Sequence, residues 1–338
     1  MDVLSQDKEE KLKSFINIFV EHPILTTIIE DFDRLRYNKR LGGEQQCMLL
    51  TGDTGSGKSS IINHYLAKTK IDNTARDAMH IPVLVSRIPS KPSLDSTITE
   101  LLKDLGHFGS FHSNHRTRRS AQGLTETLIS HLKNCKTELI IINEFQELIE
   151  FKSGRNRQEI ANRLKYINEE AQIPIVLVGM PWAKHIANEP QWSSRLTIRR
   201  EIPYFKLSDD PKCFIRFLMG LAKRMPLDVT PDFKDKKIVF SLFSASSGCL
   251  RKLKIILNEA LKLALIEGSS TLSNQHLARV YDIYGVDDSN PFILDIEELT
   301  ACEVLQYSNY DTGAACDDKA LIATIYTERA PITQLLKK

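Results

Sequence analysis

The 338-residue chain has 45 Lys and Arg residues against 43 Asp and Glu, which gives a net charge of +2 at pH 7. Because these charges nearly cancel, any affinity for nucleic acid must come from local basic clusters. With 42% hydrophobic and 26% charged residues the composition is globular, and the length allows two domains or one large domain with an appendage. None of the six cysteines lies in a C-x-x-C motif or at zinc-site spacing, so we expect reduced thiols. No apolar run approaches the roughly 18 residues of a membrane span and the N-terminus lacks a signal-peptide core, so we expect a cytoplasmic protein with no membrane partner.

A phosphate-loop motif, G-x-x-x-x-G-K-[ST], is the first chemical feature along the chain. It follows a helical pattern over 8–37, which breaks at His22-Pro23, and an apolar run at 47–50. A strand leading into a glycine turn and then a helix places backbone N–H groups and a positive helix N-terminus around one anion. We therefore predict bound ATP, with Lys58 on the β- and γ-phosphates and the Ser59 hydroxyl on Mg²⁺. The predicted ATP-binding residues are Gly52, Thr54, Gly55, Ser56, Gly57, Lys58, Ser59 and Ser60.

Strand-like and helical runs alternate after this motif. With the run at 47–51, the predicted strands are 81–85, 139–143, 175–178 and 198–207, and the predicted helices are 59–69, 93–105, 123–134, 156–171 and about 182–190. The runs at 139 and 175 are apolar without alternation, which is typical of strands buried on both faces of a parallel sheet. The pattern predicts an α/β, doubly wound fold with five parallel strands.

The strand at 139–142 leads into Asn143-Glu144, where hydrolysis needs a carboxylate for the Mg²⁺ shell and a base that orients water. Glu144 has the position of the base. Asn143 replaces the usual Asp and brings no negative charge to a Mg²⁺ site, although its amide oxygen can accept a hydrogen bond from a metal-bound water. Two interpretations remain open: slow hydrolysis, which we favour because Glu144 is present, or a scaffold gated by nucleotide alone.

From Ser208 to about residue 284 the patterns are only helical, as in the lid of an AAA+ ATPase. Arg251 opens one of these helices and could reach the phosphates from the lid, whereas Arg195, just before the last strand, could act as an arginine finger on a neighbouring subunit. A solvated surface charge is the alternative for each. The predicted divisions are an N-terminal helical segment at 1–41, an AAA+ nucleotide-binding domain at 42–207, a helical lid at 208–284 and a loosely packed tail at 285–338 that could bind a partner.

Several stretches carry a family pattern: His22-Pro23 ahead of a helix, 101–106, 140–148, 173–179, Trp192 to Leu196, and Ser247-Gly248 followed by Asn258-Glu259-Ala260. Together they resemble the TniB/TnsC family of AAA+ regulators of DNA transposition, including those of CRISPR-associated transposons. The resemblance covers about residues 15–270. Three positions depart from the family pattern, namely Asn143, Met180 and Arg251, and they put the hydrolysis rate in question rather than nucleotide binding.

The resemblance implies an ATPase of the bacterial cytosol that assembles on double-stranded DNA as a ring or helical filament. It also implies two kinds of protein partner, a TniQ-type targeting protein and transposase subunits. Together with the slow hydrolysis favoured from Asn143 and Glu144, it predicts that ATP hydrolysis controls assembly. In such regulators a terminal extension often contacts the transposase, which is the role that the resemblance suggests for the tail.

Two basic segments could contact DNA phosphates without reading bases. Residues 106–125 contain no acidic residue, and the stretch 152–165 contains only Glu159. The predicted DNA-contacting residues are Lys103, Arg116, Arg118, Arg119, Lys152, Arg155 and Arg157. A solvated loop or a subunit contact is the alternative for any one of them.

Three other functions share parts of this pattern. An origin-initiator or helicase-loader ATPase has the same fold but usually carries a winged-helix module after the lid. A signalling NTPase would oligomerise without binding DNA. A small-molecule kinase would use the phosphate loop but would not explain Arg195, the helical lid or the basic segments.

Overall fold

The computed structural model describes residues 4–70, 79–106, 121–150, 154–284, 289–315 and 317–336. It begins with two helices, α1 (Gln6–Ile16) and α2 (Pro23–Leu41), separated at the predicted break. Pro23 starts α2, where its missing N–H is not needed, and Gly42 ends it in the left-handed conformation with φ 74°. Of the helices in the described ranges, none is long and apolar enough to cross a membrane.

Five parallel strands form the central sheet, as predicted. They are β1 (Cys47–Gly52), β2 (Val83–Arg87), β3 (Leu139–Asn143), β4 (Ile175–Gly179) and β5 (Leu196–Ile202), in the spatial order β2-β3-β4-β1-β5. β2 begins later than predicted and β5 ends five residues earlier, because the pairing of β5 with β1 stops at the Gly52–Ile202 pair.

Helices cover both faces of the sheet. They are α3 (Lys58–Thr69), α4 (Leu94–Asp104), α5 (Ala121–Asn134), α6 (Gln146–Glu150), α7 (Gly154–Ala171), a 3₁₀ helix (Pro181–Asn188) and α8 (Pro190–Ser193). In β1, Met48 and Leu50 face the core shared with α2 and α3, whereas Cys47 and Leu49 face the core shared with α4, α5 and α7. Both faces are therefore dry, which explains the absence of alternation in the central strands.

The lid consists of α9 (Pro211–Ala222), α10 (Lys236–Ser246), α11 (Leu250–Glu267) and α12 (Asn274–Ile283). α10 begins at Lys236 because Asp235 caps it by accepting hydrogen bonds from the N–H groups of Lys237 (2.7 Å) and Ile238 (3.3 Å). Phe15 of α1 and Val20 also belong to the lid core, so the N-terminal segment divides its contacts between lid and sheet.

The tail is not loosely packed, and that expectation is wrong. Its strands are β6 (Thr300–Ala301), β7 (Val304–Gln306), β8 (Asn309–Tyr310), β9 (Leu321–Ile322), β10 (Ile325–Tyr326) and β11 (Ala330–Pro331), with short helices α13 (Asp317–Ala320) and α14 (Ile332–Leu335). β6 pairs with β11, β7 with β10 and β8 with β9, all antiparallel, which makes one long interrupted hairpin. We call residues 299–332 the C-terminal arm.

The arm bridges two cores. At its base Leu299, Ala301 and Ile332 are buried in the lid core, and towards its tip Tyr310 and Ala320 are buried in the core under α4, α5 and α7. Between these ends the arm passes beside the phosphate loop.

Candidate nucleotide site

The phosphate loop lies between β1 and α3, in the order of elements that the motif predicts. Gly55 (φ 79°) and Gly57 (φ 110°) both have left-handed backbone, which favours glycine. At Gly55 a Cβ atom would also stand 2.7 Å from Cβ of Arg251, so a side chain there would push the lid away. The loop backbone can therefore curl tightly at the N-terminus of α3, where an anion is stabilised.

Lys58 points back into the loop. Its Nζ donates hydrogen bonds to the carbonyl oxygens of Gly52 (2.6 Å) and Asp53 (3.0 Å). Burial lowers the pKa of Lys58 to about 8, and the charges of Glu144 and Asp53 act in the opposite direction. The ammonium group is thus held in a partly dry position with two neutral acceptors, which phosphate oxygens could replace.

A cavity of about 330 Å³ adjoins the loop, and Lys58, Ser59, Glu144 and Arg251 all line it. Ser60, on the next position of the same helix turn, and Thr54 line it as well. The Ser56 hydroxyl is buried and has no hydrogen-bond partner among the described residues. The hydroxyl, ammonium and guanidinium groups of the residues that line the cavity fit a phosphate chain.

Glu144 follows β3 in the left-handed conformation (φ 54°), which turns the chain out of the sheet at this point. Gln146 holds it there: its Nε2 donates to Oε2 of Glu144 (2.6 Å), and its Oε1 accepts from the N–H of Met180 (3.1 Å). The sulfur of Met180 lies 3.9 Å from Nζ of Lys58. Glu144 at the end of β3 therefore shares a cavity with Lys58 of the phosphate loop. Gln146, to which the sequence motif gave no role, orients the Glu144 carboxylate.

Asn143 is the last residue of β3 and is half-buried. Its backbone carbonyl accepts a hydrogen bond from the N–H of Ile88 (3.0 Å). An amide at this strand end offers a neutral oxygen where a carboxylate would bring charge, so the site has less negative charge for a divalent cation.

Arg251 belongs to the first turn of α11 and lies against the phosphate loop. Its backbone N–H donates to the carbonyl of Gly55 (3.1 Å). Lys254 lines the same cavity, but its Nζ donates to the carbonyls of Ile16 (2.7 Å) and Ile18 (3.2 Å). The backbone of Arg251 is therefore bonded directly to the loop, whereas the ammonium group of Lys254 is held by the N-terminal segment.

Arg195 is not brought to the phosphate loop of its own chain. Its carbonyl accepts a hydrogen bond from the N–H of Cys47 (2.8 Å), at the opposite end of β1 from Gly52. Since a strand rises about 3.4 Å per residue, the two ends of β1 are roughly 17 Å apart. The guanidinium forms an ion pair with Glu169 and donates to the carbonyl of Gln191 (3.2 Å).

The predicted DNA contacts are only partly described. Arg116, Arg118, Arg119 and Lys152 lie outside the described residues. Lys103 lies near the end of α4 and 3.7 Å from Glu100, while Arg155 and Arg157 lie on the first turn of α7. Arg155 is 89% exposed in its side chain and lies 3.2 Å from Glu159.

Asp53 was not among the predicted site residues, yet it joins the loop to the C-terminal arm. Its buried carboxylate accepts hydrogen bonds from Ser308 and Thr324 of the arm. Tyr204, after β5, donates its hydroxyl proton to the carbonyl of Thr54, and Tyr307 of the arm accepts from the N–H of Tyr204 (2.9 Å). No local signal marks these contacts, because Asp53 and Ser308 are 255 positions apart.

The arm also closes a second cleft of about 900 Å³ beside the loop. In it the Tyr310 ring stacks on Trp182, with ring centroids 6.3 Å apart. Burial raises the pKa of Glu147 and of Glu150, and the negative charge of Glu144 raises both further. This side of the site is therefore acidic, whereas the cavity at Lys58 and Arg251 is basic.

Comparisons with known proteins agree with this geometry. The family model described as bacterial TniB protein matches residues 15–206, more than half of the chain. No curated protein sequence matches the chain.

Solved structures match in fold. The ORC2 protein of Aeropyrum pernix in its ADPNP–ADP complexes has a TM-score of 0.60 at 17% identity, covering 80% of this chain and 71% of that chain. CDC6P of Pyrobaculum aerophilum has a TM-score of 0.55 at 14% identity, covering 88% and 76%. The ORC1 protein of Aeropyrum pernix in complex with DNA has a TM-score of 0.54 at 16% identity, covering 84% and 66%. At these identities the likeness shows the fold, which is that of AAA+ ATPases.

Proposed function

The chain belongs to the TniB family and has the fold of an AAA+ P-loop ATPase, and on these premises we propose that it is an ATP-dependent regulator of DNA transposition. In this proposal it oligomerises on double-stranded DNA and links a TniQ-type targeting protein to transposase subunits. Slow ATP hydrolysis controls the assembly. The observation that carries the proposal is the placement of Arg195 and the phosphate loop at opposite ends of β1.

Residues of the phosphate loop would bind ATP. The glycine turn and the N-terminus of α3 would hold the β-phosphate. Lys58 and Arg251 would neutralise the negative charge on the other phosphate oxygens of the nucleotide. Ser59 and Asn143 would hold Mg²⁺ and its water shell, and the ion would supply charge neutralisation at the phosphates. Glu144, held by Gln146, would accept a proton from the attacking water.

The site is incomplete within one chain. An arginine that stabilises the developing charge accelerates phosphoryl transfer strongly, and Arg195 is too far away to do this in its own subunit. In a head-to-tail assembly, one subunit's Arg195 would face the nucleotide of the next. Because such an interface is heterologous, it generates rings or helical filaments.

DNA would bind along basic residues presented by successive subunits. Arg155 is well placed for this because its side chain is exposed at the start of α7, and Arg157 and Lys103 would add charge. Arg116, Arg118, Arg119 and Lys152 stay predictions. In this proposal 42–207 is the nucleotide-binding domain, 208–284 the lid, and part of 285–338 contacts the transposase.

Assembly on DNA tests the proposal most directly. We expect random duplex DNA to bind in the presence of Mg²⁺ and a non-hydrolysable ATP analogue, with affinity falling steeply as salt rises. Electron micrographs of the same mixture should show rings or filaments. A protein that stays monomeric at micromolar concentration with saturating Mg-ATP and duplex would contradict the proposal.

Mixed assemblies test the action of Arg195 on a neighbour. We expect Lys58→Ala and Arg195→Ala each to lose ATP hydrolysis, and their mixture to regain part of it, because a Lys58→Ala subunit still supplies Arg195 to its neighbour. Arg195→Ala alone should bind nucleotide like wild type. As a matched control, Glu169→Gln breaks the same ion pair but keeps Arg195, and should retain hydrolysis. A mixture no more active than its components would refute the trans arrangement.

A replication-initiator or helicase-loader function is the second candidate, since it shares the fold. It usually requires a winged-helix module after the lid. Within residues 289–315 and 317–336, however, both helices are four residues long, and the strands form the arm. The described part of the chain therefore gives no recognition helix in support of that candidate.

A further inference from the structure

The C-terminal arm forms hydrogen bonds with the side chain of Asp53 in the phosphate loop. The carboxylate is 3% exposed as a residue and lies between β1 and the glycine turn. It accepts four hydrogen bonds: the N–H of Thr54 (2.6 Å), the N–H (3.1 Å) and hydroxyl (2.9 Å) of Ser308, and the hydroxyl of Thr324. Three of the four donors therefore come from the arm.

A carboxylate at this position would weaken anion binding by the loop. It carries a negative charge one residue from the loop amides that receive phosphate, and its charge acts directly on Lys58. Like charges repel more strongly where water is excluded. Unless other groups hold and partly neutralise Asp53, it would compete with phosphate oxygens for Lys58 and the loop amides.

The arm supplies that restraint. Ser308 and Thr324 lie on the two facing segments of the hairpin, between the β7–β10 and β8–β9 pairs, and both donate to the carboxylate. Hydrogen bonds to an ionised acceptor are about twice as strong as neutral ones. Three such donors hold the carboxylate on the arm side of the loop, where Asp53 lines the cleft of about 900 Å³ rather than the cavity at Lys58.

We propose that Ser308 and Thr324 are positioning residues for nucleotide binding: the arm holds Asp53 aside and thereby keeps the phosphate loop receptive to a triphosphate. The inference rests on the nucleotide-binding part of the proposed function.

The test measures binding of a fluorescent, non-hydrolysable N-methylanthraniloyl ATP analogue to variants of the full chain. Ser308→Ala with Thr324→Val removes both hydroxyl donors, and we expect affinity about tenfold weaker, as for the loss of hydrogen bonds to a charged group. Ser308→Thr with Thr324→Ser keeps both hydroxyls and should bind like wild type. Thr312→Val removes an exposed hydroxyl elsewhere on the arm and should also leave affinity unchanged.

The decisive comparison uses Asp53→Asn, which keeps the shape but removes the charge. In that background Ser308→Ala with Thr324→Val should change affinity by less than about twofold, because no charge remains to restrain. The same tenfold loss in both backgrounds would overturn the proposal, since the arm would then act by another route. Equal affinity of the double variant and wild type, with unfolding midpoints unchanged, would also overturn it.

Failure of this inference is distinguishable from failure of the proposed function. If wild type binds the probe and Lys58→Ala does not, the nucleotide-binding part of the proposed function is supported. The affinities of the Ser308 and Thr324 variants then test the role of the arm separately. If wild type binds no nucleotide under any condition, both are contradicted.

Discussion

Nucleotide affinity should depend on pH through Lys58, whose pKa burial lowers to about 8. The protonated form binds phosphate, so the sign is fixed: affinity is full well below pH 8 and is lost as pH rises above it. With this pKa the side chain is about 90% protonated at pH 7 and about 10% at pH 9. The apparent Kd should therefore rise about tenfold between pH 7 and pH 9.

Titration of the probe at fixed Mg²⁺ and ionic strength, in half-unit steps of pH, measures this dependence. Lys58→Arg is the matched control, because a guanidinium stays charged over the whole range. Its affinity should be flat from pH 7 to pH 9, whatever its absolute value. A wild-type Kd that does not change over this range would refute the reasoning. So would an equal slope in the arginine variant, since another group would then be titrating.

Three further predictions concern the arm and the hydrolytic residues. Glu303 of the arm is buried and accepts three hydrogen bonds at the junction of sheet and lid, one from Leu207 and two from Ser208. Glu303→Ala should therefore lower the free energy of unfolding by about 2–4 kcal/mol. Glu303→Gln keeps an acceptor oxygen, and a denaturation midpoint as low as that of the alanine variant would argue against this role. Asn143→Asp should raise steady-state phosphate release, because a carboxylate binds Mg²⁺ more strongly; equal or lower release with unchanged nucleotide binding would contradict this. Gln146→Leu should slow hydrolysis with little effect on nucleotide affinity, since Gln146 contacts Glu144 and not the loop; a matching loss of affinity would mean a structural role.

Features with a local cause were predictable from the sequence. The phosphate loop was one such feature, because its glycines and Lys58 lie within one short turn between the adjacent elements β1 and α3. The central strands were another, since burial on both faces requires apolar residues at consecutive positions, as at 139–142 and 175–178. The five-stranded parallel sheet that these patterns predict is confirmed, and the TniB family that the chain's motifs resemble is confirmed by the match of the family model.

The tertiary structure alone decided how the tail is used. Strands of two or three residues, such as Asn309–Tyr310, are too short to show a period, so the arm had no readable pattern. Its stability comes from pairing across the hairpin and from burial in two distant cores. The contact of Ser308 with Asp53 joins positions 255 apart, and only the folded chain brings them together. Local sequence therefore determined that a nucleotide loop is present, whereas long-range packing determined which residues surround it.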